Sequence, residues 1–191
     1  MEPSRSIEVT DRIVDWHILL PERDAEDISM IVLHATELPD MTAAWAEAEK
    51  SASASESGRG VCGHIYVDRD GTVYRFVPFD RVAFHVQGFN TPSIGIELVN
   101  RGRYPNWFKS WGQEPEEKFP SAQIDALRTL LRSLREQYPT ILELRRHSDL
   151  DNRLIPAEDQ PEQMVRRRID PGPLFPWTDV VQDWEGTTGG E

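Results

Sequence analysis

Apolar positions recur along this chain with two different periods. Met30–His34 (MIVLH) is a short unbroken apolar run rich in β-branched residues, which predicts a buried strand. Val61–Asp68 and Thr72–Val77 flank Asp68–Gly71 (DRDG), a run with turn chemistry, so the two predict a hairpin. Val82–Val86, Ser93–Asn100 (SIGIELVN) and Ile141–Leu144 predict three further strands. Helical spacing governs Asp40–Lys50 and the segment from Ser121. In the latter Ile124, Leu127, Leu130, Leu131, Leu134 and Tyr138 recur until Pro139, and Ser121 is expected to cap the helix. Phe175–Trp184 predicts a closing short helix. Ile13–Leu20 admits either a strand or a helix. Ser51–Gly60 (SASASESGRG) reads as a flexible surface loop, Arg101–Pro120 as a long loop and Asp151–Arg168 as a polar connection. The order of elements predicts a single-domain α/β fold, a central mixed β-sheet with helices packed on its faces. Residues 1–29 are expected to form an N-terminal extension packing on the body at 30–184, and residues 185–191 a disordered tail.

Charge narrows the function classes. Among 191 residues, 21 Lys and Arg oppose 33 Asp and Glu, a net charge of −12. That balance argues against nucleic acid as a partner, since a phosphate-backbone binder needs a positive field. It argues equally against docking on anionic membrane. No apolar run approaches the roughly 18–20 residues that span a bilayer, and MEPSRSIEVTDR lacks the features of a secretory signal. One cysteine, Cys62, precludes an internal disulfide. A soluble, cytoplasmic monomer is the expectation. A periplasmic or secreted protein, exported by another route or deprived of its signal, is the alternative.

The chemistry-bearing residues lie far apart in sequence. His34 and His147 each close a predicted strand, and Asp170 heads the turn Asp170–Pro173 (DPGP). Two imidazoles and a carboxylate suit Zn²⁺ with an open position for water; satisfied polar residues at strand ends are the plainer reading of the same spacing. Glu97 points away from its neighbours Ile96 and Leu98, towards either solvent or a site. Cys62 and His64 form a conceivable nucleophilic pair, against a buried thiol as the default. His85, His64 and Trp107 are the candidates for substrate contact, with structural roles as the alternative. Trp107, Phe108 and Trp111 could wall a cleft or pack the long loop. Glu37 and His17 read as surface residues, and Asp149 as an acceptor near His147 or a turn cap.

Taken together, IVLHAT around His34, the HIYVDRDGTVYRFVPFDRVAFH block, SIGIELVN around Glu97, RRHSDL and RRRIDPGPLFPW resemble the zinc-dependent N-acetylmuramoyl-L-alanine amidases, the type-2 amidase family that also contains peptidoglycan recognition proteins. The resemblance runs from Met30 to Trp177 in the family's order. It implies that His34, His147 and Asp170 hold one zinc ion per chain and that Glu97 is the catalytic carboxylate. It places Arg168 where the family usually has lysine; arginine keeps the charge that stabilises an oxyanion but does not release a proton. Where one branch of the family has a tyrosine before the first hairpin histidine, this chain has Gly63. The implied activity is hydrolysis of the amide between N-acetylmuramic acid and L-alanine in peptidoglycan or soluble muropeptides. The −12 charge tilts the expectation towards soluble fragments. Alternatives are a non-catalytic recognition module, or a lytic amidase delivered by phage or secretion.

Overall fold

Alternation along two central strands decides the architecture. The computed structural model describes residues 7–186. In β2 (Met30–Ala35) and β5 (Ser93–Leu98), the side chains of Ile31, Leu33, Ile94, Ile96 and Leu98 enter the larger core. Met30, Val32, His34, Ser93, Gly95 and Glu97 therefore face the other way. The two strands pair in parallel, with His34 opposite Glu97. β6 (Glu143–Arg146) lies beyond β2, and β3 (Ile65–Val67) beyond β5, both parallel to their neighbours. β4 (Val73–Arg75) runs antiparallel to β3, and β1 (Val9–Asp11) lies outermost, giving a mixed sheet of order β1-β4-β3-β5-β2-β6.

Each face has its own cover. α2 (Ser121–Gln137) lays Ile124, Leu127, Leu130, Leu131 and Leu134 on the first face, and α4 (Trp177–Gly186) adds Val180 and Trp184. Each such leucine contributes roughly 1.5–3 kcal/mol by burial. Gln123 of α2 donates to the carbonyls of Val67 and Val99, tying the helix to the sheet. On the opposite face α1 (Met41–Ser53) packs Met41, Ala44, Ala48 and Ala52 against Cys62, Tyr66, Phe76 and Val77. Asp40 caps α1 by accepting from Ala43 N–H at 2.8 Å. Val14, Trp16 and Leu20 join this second core. Arg23, also from the N-terminal segment, is buried and donates to the carbonyls of Phe79, Thr91 and Ser93 at 2.8, 2.8 and 2.6 Å. No helix of the described residues is long and apolar enough to cross a membrane.

Several elements depart from the sequence expectation. Val82–Val86 forms no strand. Its backbone groups go to scattered partners: Val82 N–H donates to Pro21, Cys62 N–H donates to Phe84, and the N–H groups of His85 and Val86 both donate to Asn90 Oδ1. The expected strands Val61–Asp68 and Thr72–Val77 narrow to β3 and β4, and Ile141–Leu144 shifts to β6, which starts at Glu143. α1 continues to Ser53, absorbing the start of the expected loop. Pro120, rather than Ser121, occupies the cap position of α2 and supplies no side-chain bond. The polar connection 151–168 contains a hairpin, β7 (Leu154–Pro156) with β8 (Met164–Arg166). Asp15–Leu19 is a 3-10 turn. Of the expected tail, residues 185 and 186 end α4, and 187–191 lie outside the described residues.

Candidate metal centre and active site

The site forms where parallel strands end on the face opposite α2. β6 is paired to β2 as far as Arg146 opposite Leu33. The next residue, His147, opens the short helix α3 (His147–Leu150) and so arrives beside His34. Asp170 comes in after the β7–β8 hairpin, its carbonyl accepting from Ser148 N–H at 3.0 Å. Nδ1 of His34 lies 2.9 Å from Nδ1 of His147 and 3.1 Å from Oδ2 of Asp170. Nδ1 of His147 lies 3.0 Å from the same Oδ2. Glu97 Oε1 stands 3.8 Å from His34 Nδ1. All three converging residues are buried, at 2%, 4% and 4% exposure.

Burial and mutual charge set the protonation states. Burial, with the charge of His147, lowers the His34 pKa to about 4 against the pull of Asp170. For Asp170 burial acts upward, but the charge of His147 and its hydrogen bond, with His34 close by, outweigh it and hold the carboxylate well below its usual range. Glu97 goes the other way. Burial and the Asp170 charge push it up to about 8, with Arg168 opposing. A neutral His34 beside an ionised Asp170 is the state in which such groups bind a metal. His34, His147 and Asp170 each offer one atom, and the three atoms lie within 4.8 Å of one another. Two imidazole nitrogens and a carboxylate oxygen, buried at the rim of a cleft, fit a zinc-type centre with one position open.

The cleft has a volume of about 410 Å³ and is lined by these residues together with Glu37, Cys62, Tyr66, His85, Trp107, Phe108 and Arg168. Gly63 makes room for the acid. A Cβ there would stand 2.8 Å from Glu97 Cγ and 3.1 Å from the Gly95 carbonyl oxygen. Arg168 carries a buried Nε with no partner among the described residues. Trp107 donates from Nε1 to the Glu37 carbonyl at 2.9 Å, so it both packs the loop and lines the cleft. Trp111 is exposed and is not part of the wall.

Three expectations need correction. His64 is not placed for substrate contact: it is fully buried and outside the cleft lining. Its Nδ1 accepts from Gly95 N–H at 3.0 Å, and its Nε2 lies 2.9 Å from an Arg23 nitrogen and 3.0 Å from the Arg81 carbonyl oxygen. That occupation also removes it as a base for Cys62, whose thiol pKa burial pushes up. Glu37 is buried, not a surface residue. It holds a positive φ of 50°, and Arg103 grips its carboxylate through Nε and a terminal nitrogen, both at 2.7 Å. No pattern in the loop 101–120 marks Arg103 as its partner. Asp149 pairs with Arg146 near the surface, and Asp151 instead is held by Arg153 and Arg167.

Comparison with known proteins agrees with this architecture. The chain is 34% identical over 122 residues to N-acetylmuramoyl-L-alanine amidase AmiD of Escherichia coli (strain K12), a match covering 60% of this chain and 38% of AmiD. It is 32% identical over 121 residues to 1,6-anhydro-N-acetylmuramyl-L-alanine amidase AmpD of Enterobacter cloacae, covering 59% and 51% respectively. The match thus spans about half or less of these relatives' own lengths. Among solved structures, the N-acetylmuramoyl-L-alanine amidase LysC from Clostridium intestinale URNW superposes with a TM-score of 0.67 at 24% identity, over 94% of this chain and 99% of that one, and shares the fold. A family profile described as N-acetylmuramoyl-L-alanine amidase matches residues 24–173, and the chain belongs to that family.

Proposed function

We propose that this protein hydrolyses the amide between the lactyl group of N-acetylmuramic acid and L-alanine, with soluble muropeptides as its substrate and one zinc ion as its cofactor. The observation that carries the reading is the convergence of His34, His147 and Asp170 beside Glu97 in one cleft. The names of AmiD and AmpD support the bond and the substrate class. The net charge of −12 favours small fragments over an intact polyanionic wall.

His34, His147 and Asp170 would hold the metal. Such an ion, when bound, polarises a carbonyl and acidifies water near neutral pH. The protein's own groups do the rest. Glu97 Oε1, 3.8 Å from His34 Nδ1 and facing the cleft, accepts the proton of the attacking water and returns it to the departing amide nitrogen. Arg168, which lines the cleft, donates to the oxyanion as the carbonyl becomes tetrahedral. Trp107 and Phe108 line the cleft and offer an apolar wall for the stem peptide.

The test is mass spectrometry of the products from a defined anhydro-muropeptide, with and without chelator, beside the same assay on whole sacculi. Release of free peptide, lost on chelation and restored by zinc, is expected. Binding without cleavage would turn the reading towards a recognition module. A strong preference for sacculi would overturn the choice of soluble fragments.

A further inference from the structure

His85 lines the cleft, yet both nitrogens of its ring are engaged by protein atoms. Its Nδ1 lies 2.9 Å from Nε2 of His34 and its Nε2 lies 3.1 Å from Ser93 Oγ. Ser93 Oγ in turn lies 2.5 Å from the carbonyl oxygen of Phe89. A carbonyl oxygen can only accept. The Ser93 hydroxyl therefore donates to Phe89, and its oxygen accepts from Nε2–H of His85. Nδ1 of His85 is then an acceptor, filled by Nε2–H of His34. One fixed end orders every proton in the row. The far end is Nδ1 of His34, left as a lone pair, and this is the atom that faces His147 and Asp170 at 2.9 and 3.1 Å.

The surroundings hold this row in place. Gly95, in the middle of β5, has no side chain where the His85 ring lies; a Cβ there would stand 2.6 Å from its Cγ and Nδ1. A glycine inside a strand commonly marks such a close approach. Asn90 Oδ1 accepts the backbone N–H groups of His85 and Val86, fixing the chain that carries the ring. Arg23 donates to the Ser93 carbonyl at 2.6 Å. His34, His85 and Ser93 are all buried, so water does not compete for these bonds.

We infer that His85 is a positioning residue: with Ser93 it holds the His34 ring in the Nε2–H tautomer and so presents Nδ1 to a divalent ion. The inference rests on the metal site proposed above and concerns how one of its residues is prepared. It also revises the expectation of substrate contact, because neither ring nitrogen of His85 is left to meet a substrate. Hydrogen bonding to the remote nitrogen of a metal-binding histidine fixes its tautomer and orientation.

The test uses the full chain, metal-free, as wild type, His85→Ala, His85→Gln and Ser93→Ala. Long-range ¹H–¹⁵N NMR reads the tautomer of His34, and competition with a chromophoric chelator reads the Kd for Zn²⁺ alone. The expected result is an Nε2-protonated His34 in wild type. In His85→Ala and Ser93→Ala a mixture of tautomers and Zn²⁺ binding weaker by about 10–100-fold are expected. His85→Gln, whose amide can accept from His34 and donate to Ser93, should recover part of both. If His85→Ala does not fold, as judged by its thermal melt, Ser93→Ala carries the test. An unchanged His34 tautomer in the folded variants overturns the inference, whatever the affinity. Tight zinc binding with tautomer and Kd unaltered in the variants would remove His85 and leave the metal site standing. A wild type that binds no zinc, with His34 still Nε2-protonated, would remove the metal site, and with it the purpose assigned to His85.

Discussion

Two buried polar clusters border the same cleft, and they balance their charges differently. In the Glu37–Arg103 cluster the chain supplies both signs. Glu37 Oε1 accepts from Arg103 Nε at 2.7 Å and from its backbone N–H at 3.1 Å, and Oε2 accepts from a terminal nitrogen at 2.7 Å. The remaining guanidinium donors reach Gln113 and the carbonyls of Arg166 and Arg167 at 3.1, 2.8 and 3.3 Å. Nothing is left over for a ligand. Around Asp170, two imidazole nitrogens and a carboxylate oxygen crowd within 4.8 Å of one another, and a second carboxylate stands 3.8 Å from one of them. A cation from outside would complete that group. Burial of polar side chains alone thus does not mark a site; the excess of electron-pair donors does.

The comparison can be broken at its strongest point first. On the proposed reading, Asp170→Ala should abolish zinc binding and cut turnover to below about a thousandth, as expected when metal assistance is lost; metal analysis of the purified variant and the muropeptide assay check both. Retained metal and activity would end the distinction between the clusters. Glu97→Gln should keep its metal and lose about 10²–10⁴-fold in turnover, the usual worth of a positioned acid–base group. Full activity there would remove Glu97 from the mechanism. Arg168→Ala should lose about 10²-fold in turnover at constant metal content, and Arg168→Lys should recover most of it, if the position supplies charge to the oxyanion as proposed.

The self-contained cluster should respond in stability instead. Glu37→Gln keeps the shape but leaves Arg103 without its anion, and should cost about 2–3 kcal/mol in urea unfolding with zinc affinity unchanged. An altered affinity would join the two clusters into one. Smallest is the exposed pair Asp11–Arg75, with bonds of 2.7 and 2.8 Å. Its hydrogen bond to Arg75 lowers the Asp11 pKa below 3.8. Because the folded pKa is the lower one, the pair stabilises above the unfolded value and that contribution fades as pH falls below it. Solvent screening limits it to under about 1 kcal/mol, so Asp11→Asn should barely move the melting curve at pH 7 and move it less still as the pH falls below 3.8.

What the sequence discloses follows the reach of each interaction. The runs MIVLH and SIGIEL carry their burial in their own composition, and both formed central strands where expected. The helical face of α2 was equally plain, because its core side chains repeat along a single element. Val82–Val86 has strand-like composition, but whether it joins a ladder depends on where its neighbours' carbonyls lie. β7 and β8 have three residues each and largely exposed side chains, too few to leave a period. Within the site, strand ends pointed to His34 and His147 as candidates, whereas their approach depends on β2–β6 register across more than a hundred residues. Glu37 looked exposed because its partner comes from the unperiodic loop 101–120. His85 looked like a residue for substrate until Ser93 and Phe89 gave its ring a direction.

Arg23 sits one position before the stretch that the family profile matches, 24–173. Trimming the protein to that boundary would sever a brace rather than shed an ornament. The carbonyls of Phe79, Thr91 and Ser93 would each lose a charged donor inside the protein, and His64 would lose its guanidinium neighbour. Since Ser93 also bears the hydroxyl that contacts His85, an edit more than ten residues upstream of His34 would be felt at the rim of the cleft. The contacts that brace this fold therefore reach back past the boundary that sequence likeness would draw.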